Sequence, residues 1–147
     1  MTGTVLVIED EYGVRTGIEQ ILRMEGFEVW SAACAREAID HLKTKTFDVA
    51  LIDYQLPDVD GLTLLHQIQQ HDGLTKTCMI TAYANIDMAI AATRQGVDFF
   101  LPKPFTPEDL VGVVNNLLKR RHVEIEAARL REAHEASLIA LASEKSQ

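Results

Sequence analysis

Short apolar runs of strand length alternate along this chain with longer segments whose apolar positions recur every three or four residues. The run TVLVI (4–8) opens the series. Val14, Ile18, Ile21 and Leu22 then share one helical face within 13–24. Gly26 follows, where a residue free to take positive φ can end a helix. FEVWS (27–31) predicts a second strand, and the alanines with Ile39 and Leu42 predict a helix over 34–44. FDVALID (47–53) is the most continuously apolar run, as expected of a central strand covered on both faces. The turn-forming LPDVDG (56–61) leads into a helix marked by Leu62, Leu65 and Ile68. TCMIT (77–81) predicts the fourth strand, 86–95 the fourth helix and VDFFL (97–101) the fifth strand. Pro102 cannot donate a ladder hydrogen bond, which suits an edge strand. Thr106 and Pro107 supply an N-cap and a first-turn proline for a last helix.

Five strand–helix units of this kind predict a parallel sheet with right-handed crossovers and helices on both faces. In such sheets function gathers beyond the carboxyl ends of the strands. Glu9 and Asp10 follow the first strand, Asp53 ends the third, Thr81 ends the fourth and Lys103 follows the fifth. Three carboxylates, a hydroxyl and an ammonium therefore share one edge. Carboxylates this close repel one another and resist losing water, so a cation or a solvated loop must offset the cost. Oxygen ligands without cysteine or histidine favour Mg²⁺, or Mn²⁺ in its place. A carboxylate held there can accept a phosphoryl group while metal and lysine stabilise the charge on its oxygens.

Composition narrows the classes. A chain of 147 residues suits one compact domain and a short appendage. With 47% hydrophobic and 24% charged residues it reads as globular. A net charge of −8 argues against direct nucleic-acid binding by this chain. No apolar run reaches membrane-span length, and the N-terminus lacks a signal-peptide layout, so a cytoplasmic location is expected. Cys34 and Cys78 have no metal-binding spacing and are expected to be reduced and structural.

The segments IED (8–10), LIDYQLPDVDG (51–61), TAYAN (81–85) and FFLPKPF (99–105) resemble the receiver domain of two-component response regulators. The likeness covers residues 4–121. It implies a flavodoxin-like, doubly wound (βα)5 sandwich with parallel strand order 2-1-3-4-5, a receiver domain over 1–121 and a helical extension or linker over 122–147. By the same resemblance Asp53 is the phosphoacceptor. Glu9, Asp10, Asp53 and the backbone carbonyl of Gln55 hold Mg²⁺, with Asp10 the more direct ligand of the acidic pair. Thr81 is the switch hydroxyl, Lys103 the phosphate-binding ammonium and Phe100 the switch aromatic, without the hydroxyl a Tyr would bring. Lys103–Pro104 is the candidate cis peptide. Gln55 and Tyr83 flank the phosphoryl group and tune its hydrolysis, with Tyr83 expected to shield it from water. A sensor histidine kinase or phosphotransfer protein would be the donor, and an output domain or downstream protein the recipient.

This reading makes the chain a phosphoacceptor switch rather than an enzyme. The alternative is a Mg²⁺-dependent phosphohydrolase with an aspartyl intermediate. Against it, the position two after Asp53 is Gln55, not a second carboxylate able to act as general acid and base. A pseudo-receiver that never binds phosphate is a third reading, opposed by the intact set Asp10, Asp53, Thr81 and Lys103. Residues 119–147 contain neither Pro nor Gly and are rich in Ala, Glu, Arg and Leu, which predicts continuation of the last helix. Val123, Ala127, Leu130, His134, Ser137 and Leu141 fall at alternating spacings of four and three. That spacing fits either a coiled-coil seam, and so a weak homodimer, or a solvated helical linker.

Overall fold

The computed structural model describes residues 3–82 and 85–145. Five strands, β1 (Thr4–Ile8), β2 (Glu28–Ala32), β3 (Val49–Asp53), β4 (Lys76–Thr81) and β5 (Phe99–Pro102), alternate with five helices. These are α1 (Tyr12–Met24), α2 (Ala35–Thr44), α3 (Gly61–His71), α4 (Ile86–Arg94) and α5 (Pro107–Lys145). The strands pair in parallel in the order β2-β1-β3-β4-β5, as the family resemblance implies. β3 lies in the middle and all five of its residues are buried, which accounts for its continuous apolar run. β5 is an edge, so the missing N–H of Pro102 costs the ladder nothing.

Alternation along the strands separates two cores. Val5, Val7 and Leu51 pack with Ile18, Leu22, Leu110, Val114 and Leu117, placing α1 and α5 on one face. Leu6, Ile8, Ile52 and Met79 pack with Ala38, Leu42, Leu64, Leu65 and Ile68, placing α2 and α3 on the other. The start of α4 is capped by the Asn85 side chain, which accepts from the Met88 N–H at 2.8 Å. Its end is tied to α3 by Gln69 Nε2 donating to the Gln95 carbonyl and Gln95 Nε2 donating to the Leu62 carbonyl.

Several strand boundaries differ from the sequence pattern: β2 is shifted by one residue to Glu28–Ala32, and β5 begins at Phe99 rather than Val97 and ends at Pro102. β3 begins at Val49 rather than Phe47. Phe47 is fully buried all the same, and ring contact with Trp30 rather than strand pairing explains its apolar character. β4 begins at Lys76, one residue before the apolar run, because Lys76 is held by ion pairs rather than by burial of an apolar chain. The predicted stops and starts hold at α1 and α5. Gly26 takes φ 92° after α1 and returns its N–H to the Arg23 carbonyl. Thr106 Oγ1 accepts from the Asp109 N–H while Asp109 accepts from the Thr106 N–H, a reciprocal cap on α5.

α5 runs without a break past residue 121. Its exit from the body is gripped at the lower edge of the sheet. Arg121 pairs with Asp48 at 3.0 Å, Arg120 with Asp98 at 3.5 Å, and Lys76 with Glu124 at 2.5 Å. Lys76 is buried and also lies 3.6 Å from Asp98, so removing both acids would leave a charge out of water, a larger loss than an exposed pair represents.

One close approach fixes the loop after β3. A Cβ on Gly61 would stand 2.7 Å from both the Asp53 carbonyl oxygen and the Tyr54 Cα, backbone atoms that cannot swing aside. Gly61→Ala should therefore destabilise the protein by about 2 kcal/mol through overpacking. A Cβ on Gly17, inside α1, would meet nothing within 4 Å. There the same change should stabilise by roughly 0.5–1 kcal/mol. Urea unfolding of the two variants checks both signs, and equal effects would remove the packing argument for Gly61.

Candidate functional site at the carboxyl edge of the sheet

The upper edge collects the ends of β1, β3, β4 and β5. Ile8 is level with Ile52 and Thr81 with Pro102 in the strand registers. The residues just beyond these partners, Glu9, Asp53 and Lys103, therefore meet. Lys103 is positioned by its own N–H, which donates to the Thr81 carbonyl at 2.9 Å. Its Nζ donates to Glu9 Oε1 at 2.5 Å and to Asp53 Oδ2 at 3.3 Å. The Lys103–Pro104 peptide is cis. Thr81, the last residue of β4, is buried beside this group.

Glu9 and Asp10 do different things. Glu9 is 2% exposed and turned inward to Lys103, whereas Asp10 is exposed. Burial pushes the Glu9 carboxyl upward, helped by its hydrogen bond and repulsion with Asp53, and Lys103 only partly opposes this. Burial alone would lower the Lys103 ammonium. The Glu9 hydrogen bond and the charges of Asp53 and Glu9 outweigh it, and the net direction is up. The group is thus an ammonium clamped between two carboxylates, with a third carboxylate facing solvent.

One oxygen from each of Glu9, Asp10 and Asp53 lies within 4.8 Å of the others. These are hard donors on the rim of the fold, and the exposed Asp10 side leaves coordination positions open to water. That donor set fits a small divalent cation of the Mg²⁺ type. The Gln55 N–H donates to Asp53 Oδ1 at 3.1 Å, and Gln55 bridges Asp60 across the loop. Both contacts hold the loop that carries the Gln55 carbonyl. Phe100 is half-buried and packs toward the α2–α3 core. Tyr83 lies outside the described residues.

Sequence reasoning missed two supporting residues. Arg15 Nη1 donates to the Glu9 carbonyl at 2.8 Å and the Asp10 carbonyl at 3.3 Å, pinning the loop after β1. Asp58 accepts from the Ala35 and Arg36 N–H groups, each at 2.9 Å, and so fastens the loop after β3 to the start of α2. These bonds hold the Asp58 carboxyl below the usual carboxylate range. A turn residue in LPDVDG gives no hint of a partner more than twenty positions away. Elsewhere, Cys78 is buried and its thiol is pushed up to about 12, chiefly by desolvation, and both cysteines are free.

A family model described as the response regulator receiver domain matches residues 5–115. Among curated proteins, the chain is 34% identical over 116 residues to the DNA-binding transcriptional regulator NtrC of Klebsiella pneumoniae, covering 79% of this chain and 25% of that one. It is 32% identical over 117 residues to the transcriptional regulatory protein PrrA of Mycobacterium tuberculosis, covering 80% and 50%. The chain thus spans a quarter to a half of the length of these relatives. Among solved structures, a CheY-like receiver domain protein from Methanospirillum hungatei superposes with TM-score 0.81 at 30% identity, over 84% of this chain and 99% of that one. NtrX from Brucella abortus superposes with TM-score 0.84 at 30% identity, over 89% and 30%. A sheet of this order, a receiver superposed over nearly its whole length and a family match across most of the chain agree, and the chain belongs to the response regulator receiver domain family.

Proposed function

We propose that this domain is a phosphoacceptor switch in which Asp53 takes a phosphoryl group from a histidine kinase or a phosphotransfer protein. The observation that carries the reading is the clamp of Lys103 on Asp53 and Glu9, with Asp10 open to solvent beside it. A carboxylate oxygen of Asp53 attacks the phosphorus, the O–P bond forms as the donor's N–P bond breaks, and the imidazole leaves with the electron pair. Lys103 holds the Asp53 oxygen and then meets the new negative charge on the phosphoryl oxygens. Glu9, Asp10, Asp53 and the Gln55 carbonyl would hold Mg²⁺, which supplies charge neutralisation for the transfer. Thr81 would donate to a phosphoryl oxygen, drawing the end of β4 inward. Phe100 follows, and the α4–β5–α5 face changes what it can bind. A population shift of this kind needs only a few kcal/mol of differential interaction. Gln55 stands where a phosphohydrolase would need a second acid, which supports a persistent phosphoprotein over turnover. The recipient is an output domain or a downstream protein.

Asp53→Asn should abolish labelling by acetyl phosphate and by kinase while leaving the unfolding transition cooperative. Labelling that survives this change, or that persists in excess EDTA, would overturn the assignment.

The acid cluster gives a second test. Asp53→Asn removes one of three crowded carboxylates, so the metal-free variant should melt above the metal-free wild type. Mg²⁺ should raise the melting temperature of the wild type in proportion to ln(1 + [Mg²⁺]/Kd) and leave the variant nearly unmoved. Asp10→Ala should lose more of this shift than Glu9→Ala, because Glu9 is committed to Lys103. The reverse order would exchange their roles.

A further inference from the structure

Successive side chains in an extended strand point to opposite faces. Glu9 and Asp10 are successive, yet a carboxylate oxygen of each lies within 4.8 Å of the other and of an Asp53 oxygen. The chain must therefore turn between them, directly after β1 ends at Ile8. The turn is short, since α1 begins at Tyr12, and its N-cap Glu11 makes no side-chain cap bond. Arg15 holds this turn. Its Nη1 donates to the Glu9 carbonyl at 2.8 Å and to the Asp10 carbonyl at 3.3 Å, gathering two successive carbonyl oxygens on one nitrogen. The exposed Tyr12 ring has its centroid 5.7 Å from the guanidinium carbon, a cation–π contact that limits movement of the head group.

Electrostatics alone would not put a cation here. Arg15 is the fourth residue of α1, and a positive charge near a helix N-terminus opposes the helix dipole. It also stands beside carboxylates that fit Mg²⁺, where it would repel the ion. Among the described residues its side chain hydrogen-bonds carbonyl oxygens and no carboxylate. A guanidinium on the carboxylates would compete with the ion for their oxygens. On the carbonyls it leaves those oxygens free and fixes the backbone that aims them. We propose that Arg15 is a positioning residue for the metal site. By gathering the Glu9 and Asp10 carbonyls it holds the turn that brings both carboxylates to Asp53, and so lowers the cost of organising them around Mg²⁺. This role rests on the Mg²⁺-dependent reading of the site and gives Arg15 no contact with the ion or the phosphoryl group.

Charge and position predict opposite signs. If Arg15 acted through its charge, Arg15→Met would remove a repulsion and Mg²⁺ would bind more tightly. As a positioning residue, its loss should weaken Mg²⁺ binding about ten-fold, as loss of groups that orient metal ligands does. Calorimetric titration of the full chain with MgCl₂ reads this without a phosphodonor. The loss should persist at roughly 0.5 M KCl, where an effect of charge through solvent is screened. Arg23→Met removes a positive charge further along α1 and should leave the affinity unchanged. Labelling of Arg15→Met by acetyl phosphate should be slow at low Mg²⁺ and approach the wild-type rate at saturation, which a misfolded variant would not do. Tighter or unchanged Mg²⁺ binding in Arg15→Met, a loss that vanishes in high salt, an equal loss in Arg23→Met, or slow labelling that saturating Mg²⁺ leaves in place overturns the proposal. Each of these leaves the Mg²⁺-dependent reading standing, whereas a wild type that binds no Mg²⁺ overturns both.

Discussion

The ammonium of Lys103 between Glu9 and Asp53 is the contact on which the upper edge depends. Two carboxylates under 10% exposed cannot stand together without a cation, since each loses water and each repels the other. Removing Lys103 would leave two buried charges unmatched, which costs far more than an exposed ion pair contributes. The clamp works only if the ends of β1, β3 and β5 are level. The parallel registers secure this, and the N–H of Lys103 fixes it against the Thr81 carbonyl. Strand order is thus a requirement of the site. With β1 and β4 on either side of β3, and β5 next to β4, one lysine can reach across to both acids.

The strand–helix alternation could be read from the sequence because apolar periodicity is local, and the parallel sheet follows from it by topology alone. The edge that gathers Glu9, Asp10, Asp53, Thr81 and Lys103 was legible for the same reason. Each ends or follows a strand, and all parallel strands end on one side. What the pattern could not show was division of labour. Glu9 and Asp10 are neighbours of like charge, and only the loop geometry turns one inward and the other out. Arg15 and Asp58 were invisible because their partners are backbone groups, which every residue carries. Lys76 hides a strand start because a buried lysine looks polar until Asp98 and Glu124, far along the chain, come to it.

The strands also carry charge at their lower ends, and the spacing repeats. Asp48 and Asp53 bracket β3, Lys76 and Thr81 bracket β4, and Asp98 and Lys103 bracket β5. Each of these strands therefore has a site residue above and a residue gripping α5, or its partner, below. The helix that leaves the domain is referred to the same three strands as the site. Its direction is set by the sheet rather than by a flexible linker.

The two edges differ in charge balance. Below, Asp48, Asp98 and Glu124 are set against Lys76, Arg120 and Arg121, so each of these acids has a cation and the edge is complete. Above, Glu9, Asp10 and Asp53 face the single ammonium of Lys103. Arg15 brings a further positive charge beside the loop, but its guanidinium hydrogen-bonds the Glu9 and Asp10 carbonyl oxygens rather than their carboxylates. The three carboxylates outnumber the ammonium that clamps them by two charges, and their oxygen donors are close enough to share one ion. That excess matches the charge of one divalent cation, and the ion in turn would allow a dianionic phosphoryl group to approach an acid that otherwise repels it. The chain meets the cost of crowding carboxylates at the mouth of its core at one edge by pairing. At the other it leaves the balance unfinished, and that deficit is what the proposed cation would fill.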